Sequence, residues 1–160
     1  MIDAMDKAAG LSPHDTLFAT RRFRPEFVQG AEECRISVLS PANDQELAPS
    51  LRVALARRMA ALNADPVLVA EYDVQLAELA PTEQLLALAR GETDFEELVA
   101  AIARHVDLVT LMPQKAQASD IARLARAGLN SPQIVALSEL IAFVNFQTRI
   151  AAGLRLMRQA

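Results

Sequence analysis

The chain has 160 residues, of which 52% are hydrophobic, 22% charged and 4% aromatic, with 5 glycines and a net charge of −4. That length holds one domain with a real core, and the Ala/Leu-rich, glycine-poor composition excludes the turn-dense sandwich and barrel classes in favour of helices. The acidic balance gives no electrostatic basis for binding nucleic acid or an anionic membrane surface. No uninterrupted apolar run reaches the roughly 18–20 residues of a membrane span. The N-terminal MIDAMDKAAGLS lacks the basic-then-apolar layout of a secretion signal. Cys34 is the single cysteine, so no intrachain disulfide is expected and a cytoplasmic location is.

In chain order, residues 1–12 read as a frayed or disordered terminus preceding one domain over 13–160. Arg24–Leu39 reads as a helix, with Phe27, Ala31, Cys34 and Val38 on one apolar face, and Ser40-Pro41-Ala42-Asn43-Asp44 breaks it. Pro49 opens a helix carrying Leu51, Leu55, Met59 and Leu62. Asp65 reads as an N-cap and Pro66 as the first residue of a helix carrying Leu68, Val69, Tyr72, Leu76 and Leu79. Pro81–Arg90 is a short helix stopped at Gly91. Thr93-x-x-Glu96 reads as a capping box for a helix to Leu111, which Pro113 ends. Ser119 or Asp120 starts a helix that Gly128-Leu129-Asn130 closes. Ser131-Pro132 opens the longest helix, to about Met157. Its apolar positions are too widely distributed for one stripe, which predicts a central helix or one that meets another subunit. With no period-two alternation, the expectation is an all-α single-domain bundle of about six to eight helices.

The stretch Asp107–Met157, with AGL-x-S-x-x-I followed by a helix carrying AFVNFQTR, resembles the C-terminal part of alkylhydroperoxidase D-like proteins of the carboxymuconolactone decarboxylase superfamily. The upstream helix pair Leu51–Asn63 and Pro66–Leu79 fits the same layout. The resemblance implies an all-helical fold assembled as a trimer or hexamer, with a dimer as a further option, and a redox-competent relative as a possible partner. In active members a Cys-x-x-Cys-x-x-x-His motif opens a helix, where the helix N-terminus favours a thiolate, and a glutamate on the preceding helix relays protons. At these positions this chain has Asp65, Leu68 and Tyr72, and Val53 replaces the glutamate. The histidine used by decarboxylase members is absent too. The resemblance therefore implies a degenerate site, without peroxidase chemistry, in an oligomeric or partner-binding protein. The alternative is a small-molecule enzyme of the organic-acid or lactone class with a repurposed pocket. Residual thiol peroxidase activity ranks below both.

Among individual residues, Asp65 is expected as a structural cap and Tyr72 as a buried aromatic with its hydroxyl satisfied, or as a ligand contact in the old cavity. Ser138, Asn145 and Arg149 fall within about 40° on the last helix and form a polar stripe, either a pocket wall or a buried network. With Tyr72 they are the pocket candidates. His105 lies late in its helix, where the dipole favours it, and has no second ligand nearby, so neither a metal site nor any cofactor is expected. His14 carries less information. Cys34 is expected to be a small buried hydrophobe. The basic clusters Arg21, Arg22, Arg24 and Arg57, Arg58 read as solvated faces or intersubunit ion pairs. Asp120–Leu137 mimics a helix-turn-helix, but its second helix offers Gln133, Ser138 and Glu139 with no Lys or Arg, which argues against DNA binding.

Overall fold

A computed structural model describes residues 1–159. They form nine α-helices and one 3₁₀ turn, with no strand among the described residues. The helices are α1 (Ala4–Ala9), α2 (Thr16–Arg21), α3 (Pro25–Leu39), α4 (Pro49–Leu62), α5 (Pro66–Glu78), α6 (Glu83–Arg90), α7 (Glu97–Leu111), α8 (Ala118–Arg126) and α9 (Ser131–Gln159). The 3₁₀ turn Pro113–Lys115 joins α7 to α8. The all-α, single-core class agrees with the sequence, and the helices that the sequence reading did not place are α1 and α2.

Helix α4 is the centre. Ala54, Ala56, Met59 and Ala60 have no accessible surface, and α5, α6, α7 and α9 pack around it. Small alanines on α4 let these neighbours approach, while Met59, Leu55, Leu68, Leu76, Leu88 and Val144 fill the space between them. The long helix α9 packs on α4 and also against α1, α2, α3, α7 and α8. One side joins the core through Leu137, Leu140, Ile141 and Val144, and the other is open. It is also the one described helix long and apolar enough to cross a membrane by length and composition, with half of the relevant window buried in the bundle.

Most boundaries follow local chemistry. The Asp65 carboxylate accepts the Leu68 N–H at the start of α5, and Gly91 and Gly128 take left-handed backbone angles of 96° and 117° at the ends of α6 and of the α8 turn. Asn130 and Gln133 cap α9 reciprocally, each side chain accepting the other's backbone N–H. The Thr93–Glu96 capping box does not form. Glu96 precedes α7 with no side-chain cap, and the Thr93 side chain instead lines a cleft beside the helix.

Three expectations need correction. Residues 1–12 are not frayed. An Asp3–Asp6 capping box starts α1, Gly10 ends it in the left-handed region, and Met5, Ala8 and Ala9 are buried. The reason is long-range: Arg21 and Arg22 pair with the fully buried Asp6, Arg21 also pairs with Asp3, and Arg155 of α9 donates to the Ala8 carbonyl. Within the basic clusters only Arg24 is solvated, paired with the equally exposed Glu26, while the others are tied into the fold. Arg57 pairs with Asp73, and the buried Arg58 pairs with Asp107 while donating to the Leu88 and Glu92 carbonyls. Finally, α3 is buried at Val38 and Leu39 and touches the core only partly at Ala31, so Phe27 and Cys34 are exposed.

Candidate functional site

The positions where the resemblance places a redox centre are Val53, Asp65, Leu68 and Tyr72, and all four are buried. They form a closed structural junction. Asp65 combines its cap on α5 with a bidentate pair to Arg155, at 2.8 and 3.0 Å, and Arg155 donates onward to the Ala8 carbonyl at 2.9 and 2.6 Å. One carboxylate and one guanidinium thereby bind α1, α5 and α9 together. Two turns further along α5, Tyr72 is 1% exposed and donates to Oε1 of the buried Gln147 at 2.5 Å. Burial, with help from Glu71, raises the Tyr72 pKa, so the phenol stays protonated and acts as a donor. Leu68 is fully buried against the same core.

The polar stripe of α9 divides. Asn145 is buried in a network: it accepts from Asn63 at 3.1 Å and donates to the Ile141 carbonyl and to the Thr110 hydroxyl. Ser138 is exposed and donates to the Ile134 carbonyl of its own helix. Arg149 is exposed and makes no ion pair among the described residues. Gln147, the partner of Tyr72, lies about 160° around α9 from Arg149, so Tyr72 and Arg149 do not converge on a ligand. Cys34 is exposed, and local packing about its sulfur together with Glu139 raises its pKa, which disfavours the thiolate. His105 is buried with its Nδ1 unpartnered. Burial lowers its pKa, opposed by Asp120, and favours the neutral ring.

Three surface cavities are present among the described residues, and none is lined by Tyr72, Ser138, Asn145 or Arg149. The largest is an open cleft of about 1070 Å³ between α7, the 3₁₀ turn and α8. Its walls carry Ala100, Leu108, Leu111 and Met112 with Arg104, Lys115, Arg123 and Arg126. Sequence reading missed this cleft, and it missed Arg155 and Gln147. The available signal for Gln147 was a polar residue inside the apolar run AFVNFQTRI, on a different side of the helix from the stripe.

The chain has the fold of a solved protein described as an uncharacterized peroxidase-related protein from Silicibacter sp. TM1040. The two share 15% sequence identity with a TM-score of 0.71, over 95% of this chain and 79% of that one. No family model matches the chain, and no curated protein does.

Proposed function

We propose that this chain is a non-redox member of the alkylhydroperoxidase D-like group that works as a self-associating protein through the open face of α9. The observation that carries this reading is the composition of that face. Val135, Ala142, Phe146, Ile150, Gly153 and Met157 recur at three-, four- and seven-residue spacing and are all exposed, Phe146 by 44% and Met157 by 60%. They lie within an arc of about 80° on the helix. A contiguous apolar strip of this kind is what an obligate contact buries.

A second copy of the chain is the occupant that fits best, because the strip is self-complementary. Glu139 stands within the strip and Arg149 at its border, and neither has an ion-pair partner among the described residues. Two α9 helices packed antiparallel about a two-fold axis at the level of Val144 place Glu139 opposite the other copy's Arg149. The same register sets Ala142 against Phe146 and Val135 against Gly153, a small residue facing a larger one each time. The non-redox half of the reading is supported by the junction at Asp65 and Tyr72, where hydrogen bonds within the fold occupy the groups at the motif positions.

Light scattering on the purified chain tests self-association, and a monomeric mass at micromolar concentration overturns it. Arg149→Glu should dissociate the assembly by setting like charges together, and Glu139→Arg with Arg149→Glu should restore it. Failure of the double exchange refutes the antiparallel register. A thiol-dependent peroxide assay tests the chemistry: turnover above the buffer rate, whether or not it survives Cys34→Ser, overturns the non-redox assignment.

A further inference from the structure

The cleft between α7 and α8 is electrostatically at odds with the rest of the molecule. In a chain of net charge −4 it is lined by five cationic and three acidic side chains. Two of the three acids are already neutralised. Asp107 gives both carboxylate oxygens to Arg58, at 2.6 and 2.7 Å, and four of the five Arg58 donors are engaged, two on Asp107 and two on the Leu88 and Glu92 carbonyls. Asp120 pairs with Arg123 through one oxygen at 3.4 Å and accepts the Gln117 N–H with the other. Glu97 alone remains against Arg104, Lys115 and Arg126, none of which makes an ion pair among the described residues.

The arginines are also brought to one level. Helices α7 and α8 are packed neighbours joined by residues 112–117, so they run antiparallel. Arg104 stands seven residues before the end of α7 and Arg126 eight residues after the start of α8. At 1.5 Å per residue both lie about 10–12 Å from the connection. Between that arginine level and the connection the α7 side carries Leu108, Leu111 and Met112, the last two partly exposed, while the α8 side carries Ser119, Asp120 and Arg123. Facing guanidiniums without a counter-ion repel one another, and an anion between them relieves that repulsion while forming charge-assisted hydrogen bonds. The apolar α7 side leading away from the cations offers a surface on which a hydrocarbon body can lie.

We propose that this cleft binds an aliphatic carboxylate, its head held by Arg104 and Arg126 and its chain lying along Leu108, Leu111 and Met112. The site is separate from the α9 face, since no α9 residue lines it, and it stands or falls independently of self-association. Calorimetric titration of the full chain with sodium octanoate tests it, with 1-octanol and inorganic phosphate as the uncharged and tail-less probes. Octanoate should bind at least tenfold more tightly than either probe. Arg104→Ala with Arg126→Ala, both exposed and so removable without disturbing the core, should weaken it at least tenfold while leaving the melting temperature within a few degrees. No octanoate binding, or binding to the double variant within twofold of the wild type, overturns the proposal. So does phosphate binding as tightly as octanoate, because the hydrocarbon wall then contributes nothing.

Discussion

Asp65→Ala removes three interactions at once, and their magnitudes can be separated. The lost N-cap on α5 costs about 1 kcal/mol. The lost bidentate contact to Arg155 is a hydrogen-bonded charge pair, worth about 1.5–3 kcal/mol when one side of it is buried. Asp65 is only 3% exposed in its side chain, whereas Arg155 is 26% exposed. The freed guanidinium therefore regains some water and keeps its donation to Ala8, which places the sum near the lower end, about 2.5–3 kcal/mol. For a chain of this size that lowers the melting temperature by about 5–12 °C. Asp65→Asn retains a capping oxygen and loses only the charge, so it should cost about 1–2 kcal/mol. Urea unfolding followed by circular dichroism on the two variants, and on a double-mutant cycle with Arg155→Met, measures each part. A coupling energy below about 0.5 kcal/mol refutes the claim that the pair holds α1, α5 and α9 together.

Three further outcomes follow from the buried polar groups. Tyr72→Phe leaves Gln147 Oε1 without its donor and should cost about 1–2 kcal/mol in urea, with much of the loss recovered when Gln147→Leu is added. Because burial lowers the His105 pKa in the folded state, the unfolded chain binds more protons below about 6.5. Stability should therefore fall as pH drops through that value, and His105→Leu should flatten this limb; parallel wild-type and variant profiles would refute it. Burial raises the Asp6 pKa, but hydrogen bonds from Arg22, from the Asp3 backbone and from Arg21 outweigh it and hold the value below the ordinary 3.8. The resulting stability is present above 3.8 and is lost as pH falls through the lower folded value. Hydrogen exchange at the α1 amides should therefore accelerate at pH 2–3, and Asp6→Asn should show fast exchange already at pH 6.

Sequence periodicity made some of this legible and physics explains where it stopped. Asp65-Pro66, Gly91 and Gly128 act within a single turn of chain, so their effects were visible in order. The junction at Asp65 was only half visible. The cap is local, but its partner Arg155 lies 90 residues away, and nothing in a linear reading ties them. Helix α1 was missed for the same reason, since Arg21, Arg22 and Arg155 hold it. The polar stripe of α9 was placed at the correct angle, yet angle alone does not say what stands opposite: Asn145 meets Asn63 and Thr110, while Ser138 and Arg149 meet solvent. The face of α3 shows the converse limit. Phe27 and Cys34 follow core spacing, but of that face only Ala31 and Val38 reach the core. The α7–α8 cleft exists only after two helices pack, so its cations looked like any solvated face.

The Ala8–Arg155 contact spans 147 positions of sequence, and this sets an order of events during synthesis. At typical elongation rates the ribosome takes on the order of ten seconds or more to travel from one to the other. Through that interval α1 has no carbonyl anchor, the Asp65 carboxylate has no cation, and the face of α4 that α9 later covers is bare. The nascent chain thus spends its most vulnerable period with Met59 and its alanine neighbours open to other chains.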